Sequence, residues 1–130
     1  MSPSYSKDEK LKSRKLIDLL FSEGGSVSKY PLRLAYIRSD FGEGGKIKMG
    51  VSVSKKYFKN ASDRNYFKRV LRETYRLNKH LLLDNLDHPY AFMLLYQTKD
   101  RLDYHEINEK TIQLFEKFVA GLKEKPGSPA

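Results

Sequence analysis

Residues 47–80 read IKMGVSVSKKYFKNASDRNYFKRVLRETYRLNKH, and the two halves of this stretch carry different periods. From Ile47 to Val53 apolar residues alternate with small or polar ones, the period of two expected of a strand. Beyond Asn60 the period lengthens. On a helical wheel of ~100° per residue with Arg64 at zero, Tyr66, Phe67, Val70, Leu71, Thr74 and Leu77 fall within roughly 200–340°. Lys68, Arg69, Arg72, Arg76 and Lys79 fall within roughly 40–140°, and Asn65 joins them. The spacing therefore predicts a helix over 62–80 that lays one side on a sheet and presents a basic stripe on the other.

The flanks supply the partners of this strand and helix. Residues 32–38, Leu-Arg-Leu-Ala-Tyr-Ile-Arg, alternate loosely and predict a second strand, and a short one is expected near Ser26–Ser28. The glycine-rich link Asp40-Phe41-Gly42-Glu43-Gly44-Gly45 reads as a hairpin loop. Upstream, Leu16, Ile17, Leu20 and Phe21 share a helical face, predicting a helix near 13–22. Its start is capped either by Ser6 with Glu9 or by Ser13, and Gly24-Gly25 stops it by accepting a left-handed conformation. Downstream, Tyr-Ala-Phe-Met-Leu-Leu-Tyr-Gln at 90–97 is nearly continuously apolar, as in a strand covered on both faces. A last helix is expected over 104–122, with Ile107, Thr111, Phe115 and Phe118 on one side and Asp103 with Glu106 as a capping box. The order is helix, two or three strands, helix, strand, helix: a mixed α+β layer structure. It forms one domain over 1–125, followed by a disordered Pro/Gly tail at 126–130.

Composition bounds the function. At 130 residues, 39% hydrophobic and 12% aromatic, the chain suits one globular domain. It has no cysteine, its first twelve residues are polar rather than signal-like, and no apolar run approaches the roughly 18–20 residues that span a bilayer. A cytoplasmic protein with no membrane partner is expected. The formal charge is +9, and its distribution is uneven: residues 1–54 carry 10 basic and 6 acidic side chains, 55–80 carry 9 and 2, and 81–130 carry 6 and 8. A charge run is ordinarily a solvated helix face. Here +7 within 26 residues would repel itself, which favours a polyanionic partner.

Catalytic chemistry is missing. His80, His88 and His105 share no metal-ligand spacing, and Asp100 and Asp103 read as caps or loop residues. Gly42-x-Gly44-Gly45 is followed by no helix start, so it is not a phosphate fingerprint. No nucleophile has a base nearby; no catalytic residue, metal site or small-molecule substrate is expected. What the chain does offer is phosphate chemistry. Lys55, Lys56 and Arg64 surround a helix start whose N–H groups favour anions, and arginine adds multidentate contacts. Asn65 can donate and accept toward ribose 2′-hydroxyls or base edges. A helix-turn-helix DNA reader is disfavoured because strand and loop, not a second helix, precede the basic helix.

The same residues carry a family resemblance. Ala61-x-x-Arg64-Asn65-x-Phe67-Lys68-Arg69-x-x-Arg72, preceded by Val53-Ser54-Lys55-Lys56, resembles the signature of the bacterial ribonuclease P proteins. Leu11-Lys12-Ser13 through Phe21, Gly25-Ser26-Val27 and the closing helix extend it more weakly. The chain departs from the pattern at Tyr66, where the family has arginine, at Asp63, and in a longer loop between Lys56 and Ala61. The resemblance implies a single α/β sandwich of order α-β-β-β-α-β-α. Its four-stranded mixed sheet would carry a left-handed βαβ crossover, an exception to the right-handed rule. It also implies a protein subunit that is itself non-catalytic. The large ribonuclease P RNA, using Mg2+, would remove the 5′ leader of precursor tRNA in the cytoplasm, and both RNAs would be partners. Lys55, Lys56, Arg64, Asn65, Lys68, Arg69, Arg72 and Arg76 would then face the catalytic RNA. A cleft between the first helix and the sheet would take the leader, with Ile17 and Phe21 lining it and Tyr36 as a stacking surface. The alternative is a general structured-RNA-binding protein, such as a ribosomal protein, with the same helix and no leader cleft.

Overall fold

A computed structural model describes residues 9–39 and 46–124. Along the chain run α1 (Arg14–Glu23), β1 (Gly25–Lys29), β2 (Leu32–Arg38), β3 (Ile47–Val53), α2 (Ala61–Asn78), α3 (His80–Leu83), β4 (Tyr90–Tyr96) and α4 (Tyr104–Glu124). The predicted elements are present, with one addition: the helix expected to reach residue 80 ends at Asn78, and Lys79 leads into the four-residue α3. Ser13 caps α1, its hydroxyl accepting from Leu16 N–H at 3.2 Å. Ser6 and the tail at 126–130 lie outside the described residues. Asp103 and Glu106 form the expected reciprocal cap, Glu106 N–H donating to Asp103 Oδ1 at 2.9 Å and Asp103 N–H to Glu106 Oε1 at 3.3 Å.

The sheet order is β1-β2-β4-β3, with β2 antiparallel to both neighbours and β3 parallel to β4. The link at 40–45 lies outside the described residues, but its reading as a hairpin loop is overturned, because β4 sits between β2 and β3. The reason lies in β4 itself. Its unbroken apolar run, buried from Ala91 to Leu94, is satisfied only in the centre of the sheet with both faces covered. The true hairpin joins β1 to β2 through Tyr30-Pro31.

Alternation assigns the two faces. Leu32, Leu34, Phe92, Leu94, Ile47 and Met49 point into the main core, against α2, α3 and α4. Ala35, Ala91 and Met93 point the other way and meet Leu11 and Leu20 beneath α1. The layers are thus α1, sheet, then α2 with α4. Between α2 and α4 the contact is polar but satisfied: Thr111 Oγ1 donates to Thr74 Oγ1 at 3.0 Å, and Asn78 Nδ2 donates to Asn108 Oδ1 at 2.8 Å. Gly24 ends α1 with φ −79° and ψ 175°, so the left-handed conformation expected of it is not used. Glycine is required there by crowding, since a Cβ would overlap the carbonyl oxygens of Leu20 and Tyr36.

Candidate nucleic-acid interface

The buried side of α2 is Phe67, Val70, Leu71, Thr74, Tyr75 and Asn78. On the wheel this arc runs from roughly 240° to roughly 20°, rotated by about 40° from the apolar arc read in the sequence. Tyr75 causes the rotation. Its hydroxyl donates to Glu9 Oε2 at 2.6 Å, and Lys79 Nζ donates to both Glu9 carboxylate oxygens at 2.9 and 3.0 Å. A segment ahead of α1 therefore crosses α2, and Leu11 N–H continues it onto Met49 O at 3.1 Å. Tyr66 and Leu77, predicted on the buried side, are 39% and 37% exposed as a result.

The rotation sorts the predicted RNA-facing residues into two groups. Lys55, Lys56, Lys68, Arg69 and Arg72 form no ion pair among the described residues, and all but the half-buried Lys68 are exposed. Asn65 is exposed between them. Arg64 and Arg76 are engaged within the protein. Arg64 Nη1 donates to the carbonyls of Phe58 and Lys59, at 2.9 and 2.8 Å, and so ties the loop 54–60 to the first turn of α2. Arg76 is bonded through Nε and Nη2 to Glu73. That bond holds the Glu73 carboxyl below its usual range and raises Arg76 further. The predicted convergence of Arg64 with Lys55 and Lys56 on an outside phosphate is therefore modified: its guanidinium also braces the loop that carries them.

Asp63 and Tyr66, the departures from the family signature, each have a partner. Asp63 Oδ1 pairs with Arg101 at 3.1 Å, and Arg101 lies over the rings of Phe67 and Phe58, 5.3 and 5.9 Å from their centroids. The Tyr66 ring carries Arg69, whose guanidinium carbon is 5.7 Å from its centroid. No signal in the sequence pointed to Arg101, which comes from the loop after β4 and reaches α2 only in the folded chain.

On the α1 face a cleft of about 390 Å³ is lined by Ile17, Gly50, Met93, Lys10, Lys12 and Arg72. It lies between α1 and the sheet, where the resemblance placed a leader cleft. The three residues expected to line that cleft are not brought together. Ile17 is on it. Phe21 is 49% exposed on α1 and outside the cleft lining. Tyr36 is on the opposite face of the sheet, its ring edge-on to Phe118 of α4 at 4.8 Å. The correction follows from strand parity: Tyr36 shares its face with Leu34 and Leu32, whereas Ala35 and Ile37 face α1. That parity was available in the sequence. Lys10 and Lys12 were not, because the segment carrying them has no period. Gly50 sits in the cleft floor, where a Cβ would come within 3.1 Å of the Met93 thioether. Among the described residues no three His, Asp or Glu side chains are grouped to hold a metal ion, and no helix is long and apolar enough to cross a membrane.

Comparison with known proteins bears on the family and the fold. The family model described as Ribonuclease P matches residues 5–119. The ribonuclease P protein component of Porphyromonas gingivalis is 40% identical over 110 residues, covering 83% of this chain and 80% of that protein. That of Dictyoglomus thermophilum is 33% identical over 122 residues, covering 94% and 97%. The solved RNase P protein of Thermotoga maritima superimposes with a TM-score of 0.67 at 24% identity, over 84% of this chain and 96% of that one. A basic helix on a mixed four-stranded sheet, a cleft beneath α1 and a family match over most of its length place this chain in the ribonuclease P protein family.

Proposed function

We propose that this protein is the non-catalytic subunit of a ribonuclease P, holding the catalytic RNA on the open face of α2 and the 5′ leader of precursor tRNA in the cleft beneath α1. The observation that carries the reading is the position of Arg72. It belongs to the exposed stripe of α2 and also lines the cleft with Lys10 and Lys12, so the two cationic surfaces are continuous. A cation row that turns from a helix face into an apolar-floored cleft suits two polyanions that must lie side by side. Neutralising both reduces their repulsion and so the Mg2+ that the RNA chemistry demands. On this reading Mg2+ belongs to the RNA subunit. The chain's own residues bind and orient; Ile17, Gly50 and Met93 offer a floor shallow enough for unpaired bases, and the lysines take the phosphates.

The test is cleavage of precursor tRNA by a bacterial ribonuclease P RNA at low Mg2+, with and without the protein. Cleavage at the mature 5′ end only when both are present supports the reading. Tight binding of that RNA with no gain in cleavage would instead mark a general structured-RNA-binding protein.

A further inference from the structure

A second concave site lies at one end of the sheet and shares no lining residue with the cleft beneath α1. The register sets Lys29, Leu32, Tyr96 and Val53 in line at that end, where three connections meet: the β1–β2 turn, the loop from β3 to α2, and the loop from β4 to α4. Together they form a cavity of about 550 Å³ lined by Tyr30, Lys56, Tyr57, Gln97, Lys99 and Asp100, among others. Its volume falls in the range of about 300–1,000 Å³ usual for small-ligand sites.

The lining has the chemistry of a nucleotide receptor. Tyr30 is 71% exposed, more than Phe21, Tyr66 or Leu77, and none of the ring contacts among the described residues involves it. Yet the ring is tethered. Its hydroxyl donates to Thr98 Oγ1 at 3.3 Å, and the same oxygen accepts from Asp100 N–H at 3.1 Å. An aromatic ring held by its polar tip with its faces open is a preformed stacking surface. Tyr57 adds a half-buried second ring, with Lys56 Nζ 5.6 Å from its centroid. Lys56 and Lys99 are exposed and form no ion pair among the described residues. Gln97 uses its backbone N–H on Pro31 O, leaving its amide for a ligand.

We propose that this cup binds one unstacked nucleotide of the RNA held by α2, with its base on Tyr30, its phosphates against Lys56 and Lys99, and Gln97 at the base edge. The proposal rests on the reading that α2 faces RNA. It extends the RNA surface past the start of α2, because Lys56 belongs to both.

The experiment measures binding of the full chain to a bacterial ribonuclease P RNA at moderate salt, beside Tyr30→Ala, Tyr30→Phe, Lys99→Ala and Arg69→Ala/Arg72→Ala. Thermal melts confirm that each variant is folded. Loss of one stacked base predicts about a tenfold weaker complex for Tyr30→Ala, with Tyr30→Phe weakened much less because the ring remains and only its tether to Thr98 is lost. Lys99→Ala is expected to flatten the salt dependence by about 0.7–0.9 in slope. If Tyr30→Ala and Lys99→Ala bind like wild type while Arg69→Ala/Arg72→Ala is weakened, the cup proposal is overturned and the α2 reading stands. If wild type does not bind this RNA at all, both fall. Titration with adenosine 5′-monophosphate separates the two sources of the ligand. Its loss on Tyr30→Ala with RNA binding unchanged would make a free nucleotide the occupant and overturn the RNA assignment.

Discussion

Arg64 and Arg72 sit eight residues apart in one basic motif, and the structure predicts that replacing them has different consequences. Arg72 is exposed, without an ion pair among the described residues, at the mouth of the cleft. On the proposed reading, its replacement by alanine removes one phosphate contact and, among the described residues, no internal bond. Each phosphate neutralised contributes roughly 0.7–0.9 to the slope of log affinity against log salt. Lys55, Lys56, Lys68, Arg69 and Arg72, five cations without an ion pair among the described residues, therefore contribute about −3.5 to −4.5 to the wild-type slope if all of them engage. Arg72→Ala should flatten it by about one such unit, so its penalty shrinks about threefold between roughly 50 and 200 mM salt. Its melting temperature should barely change, as for other exposed substitutions, within about 0.5 kcal/mol. Arg64→Ala removes the two bonds to Phe58 and Lys59 carbonyls. Half-exposed charge-assisted bonds of this kind sum to about 1–2 kcal/mol, or roughly 3–10 °C for a domain of this size. Calorimetry and filter binding across a salt series read both quantities. An Arg64→Ala protein that melts like wild type would refute the bracing role, and an Arg72→Ala protein with an unchanged salt slope would refute the assignment of the stripe to phosphates.

Three further outcomes follow from the packing. Glu9→Ala should lower the urea midpoint by the equivalent of about 1–2 kcal/mol, since Lys79 and the Tyr75 hydroxyl lose the carboxylate between them; an unchanged midpoint would mean that the Glu9 carboxylate adds nothing to the fold. Gly24→Ala should cost about 2 kcal/mol or more, because the new methyl meets two backbone carbonyls that cannot move aside; the same denaturation series checks it, and a near-neutral result would contradict the crowding. Tyr96 accepts from Leu102 N–H at 3.0 Å and donates to Asp100 O at 2.6 Å, so Tyr96→Phe should cost about 1–3 kcal/mol. Burial raises Tyr96 and Tyr90 above the ordinary tyrosine value of 10.0. The folded protein then holds protons that the unfolded chain releases, so stability present below pH ~10 falls as pH rises beyond it. Tyr96→Phe should shed part of that alkaline loss, which pH-dependent melts would show.

How far the sequence could be read depended on whether a feature was local. The alternation of β3, the unbroken apolar run of β4 and the Asp103–Glu106 cap are local signals and read directly from the sequence. Contacts between elements left weaker traces. The buried face of α2 lies about 40° from the arc read in the sequence, because Tyr75 packs into the core and its hydroxyl meets Glu9, 66 positions away. The link at 40–45 reads as a hairpin loop because a glycine-rich link looks alike whether it joins neighbours or passes over an inserted strand. Within the site, the exposed cations were legible from composition and wheel position. The bonds of Arg64 to its own loop were not, since backbone carbonyls of an irregular turn have no sequence signature. Tyr36 differs from these, for simple alternation with Leu34 already placed it away from α1.

On the proposed reading, the departures at Asp63 and Tyr66 leave α2 with a basic face while its motif changes. An acid in the first turn of α2 suits the helix dipole but would subtract from the field offered to RNA. Arg101 cancels that subtraction. It pairs with Asp63 and spreads over Phe58 and Phe67, so the start of α2 gains a cross-link to the loop after β4 at no net cost in charge. The same loop carries Lys99 and Asp100 into the cup. At Tyr66 the family cation is replaced by a ring that carries Arg69. The stripe thus has one charge fewer but gains an aromatic contact that limits where Arg69 can point, and a positioned guanidinium loses less freedom when it meets a phosphate. Tyr66→Ala should therefore weaken RNA binding without changing the salt slope, because what it removes is the placement of a charge rather than the charge. A slope lowered by a full phosphate equivalent would show instead that Arg69 no longer reaches the RNA without the ring.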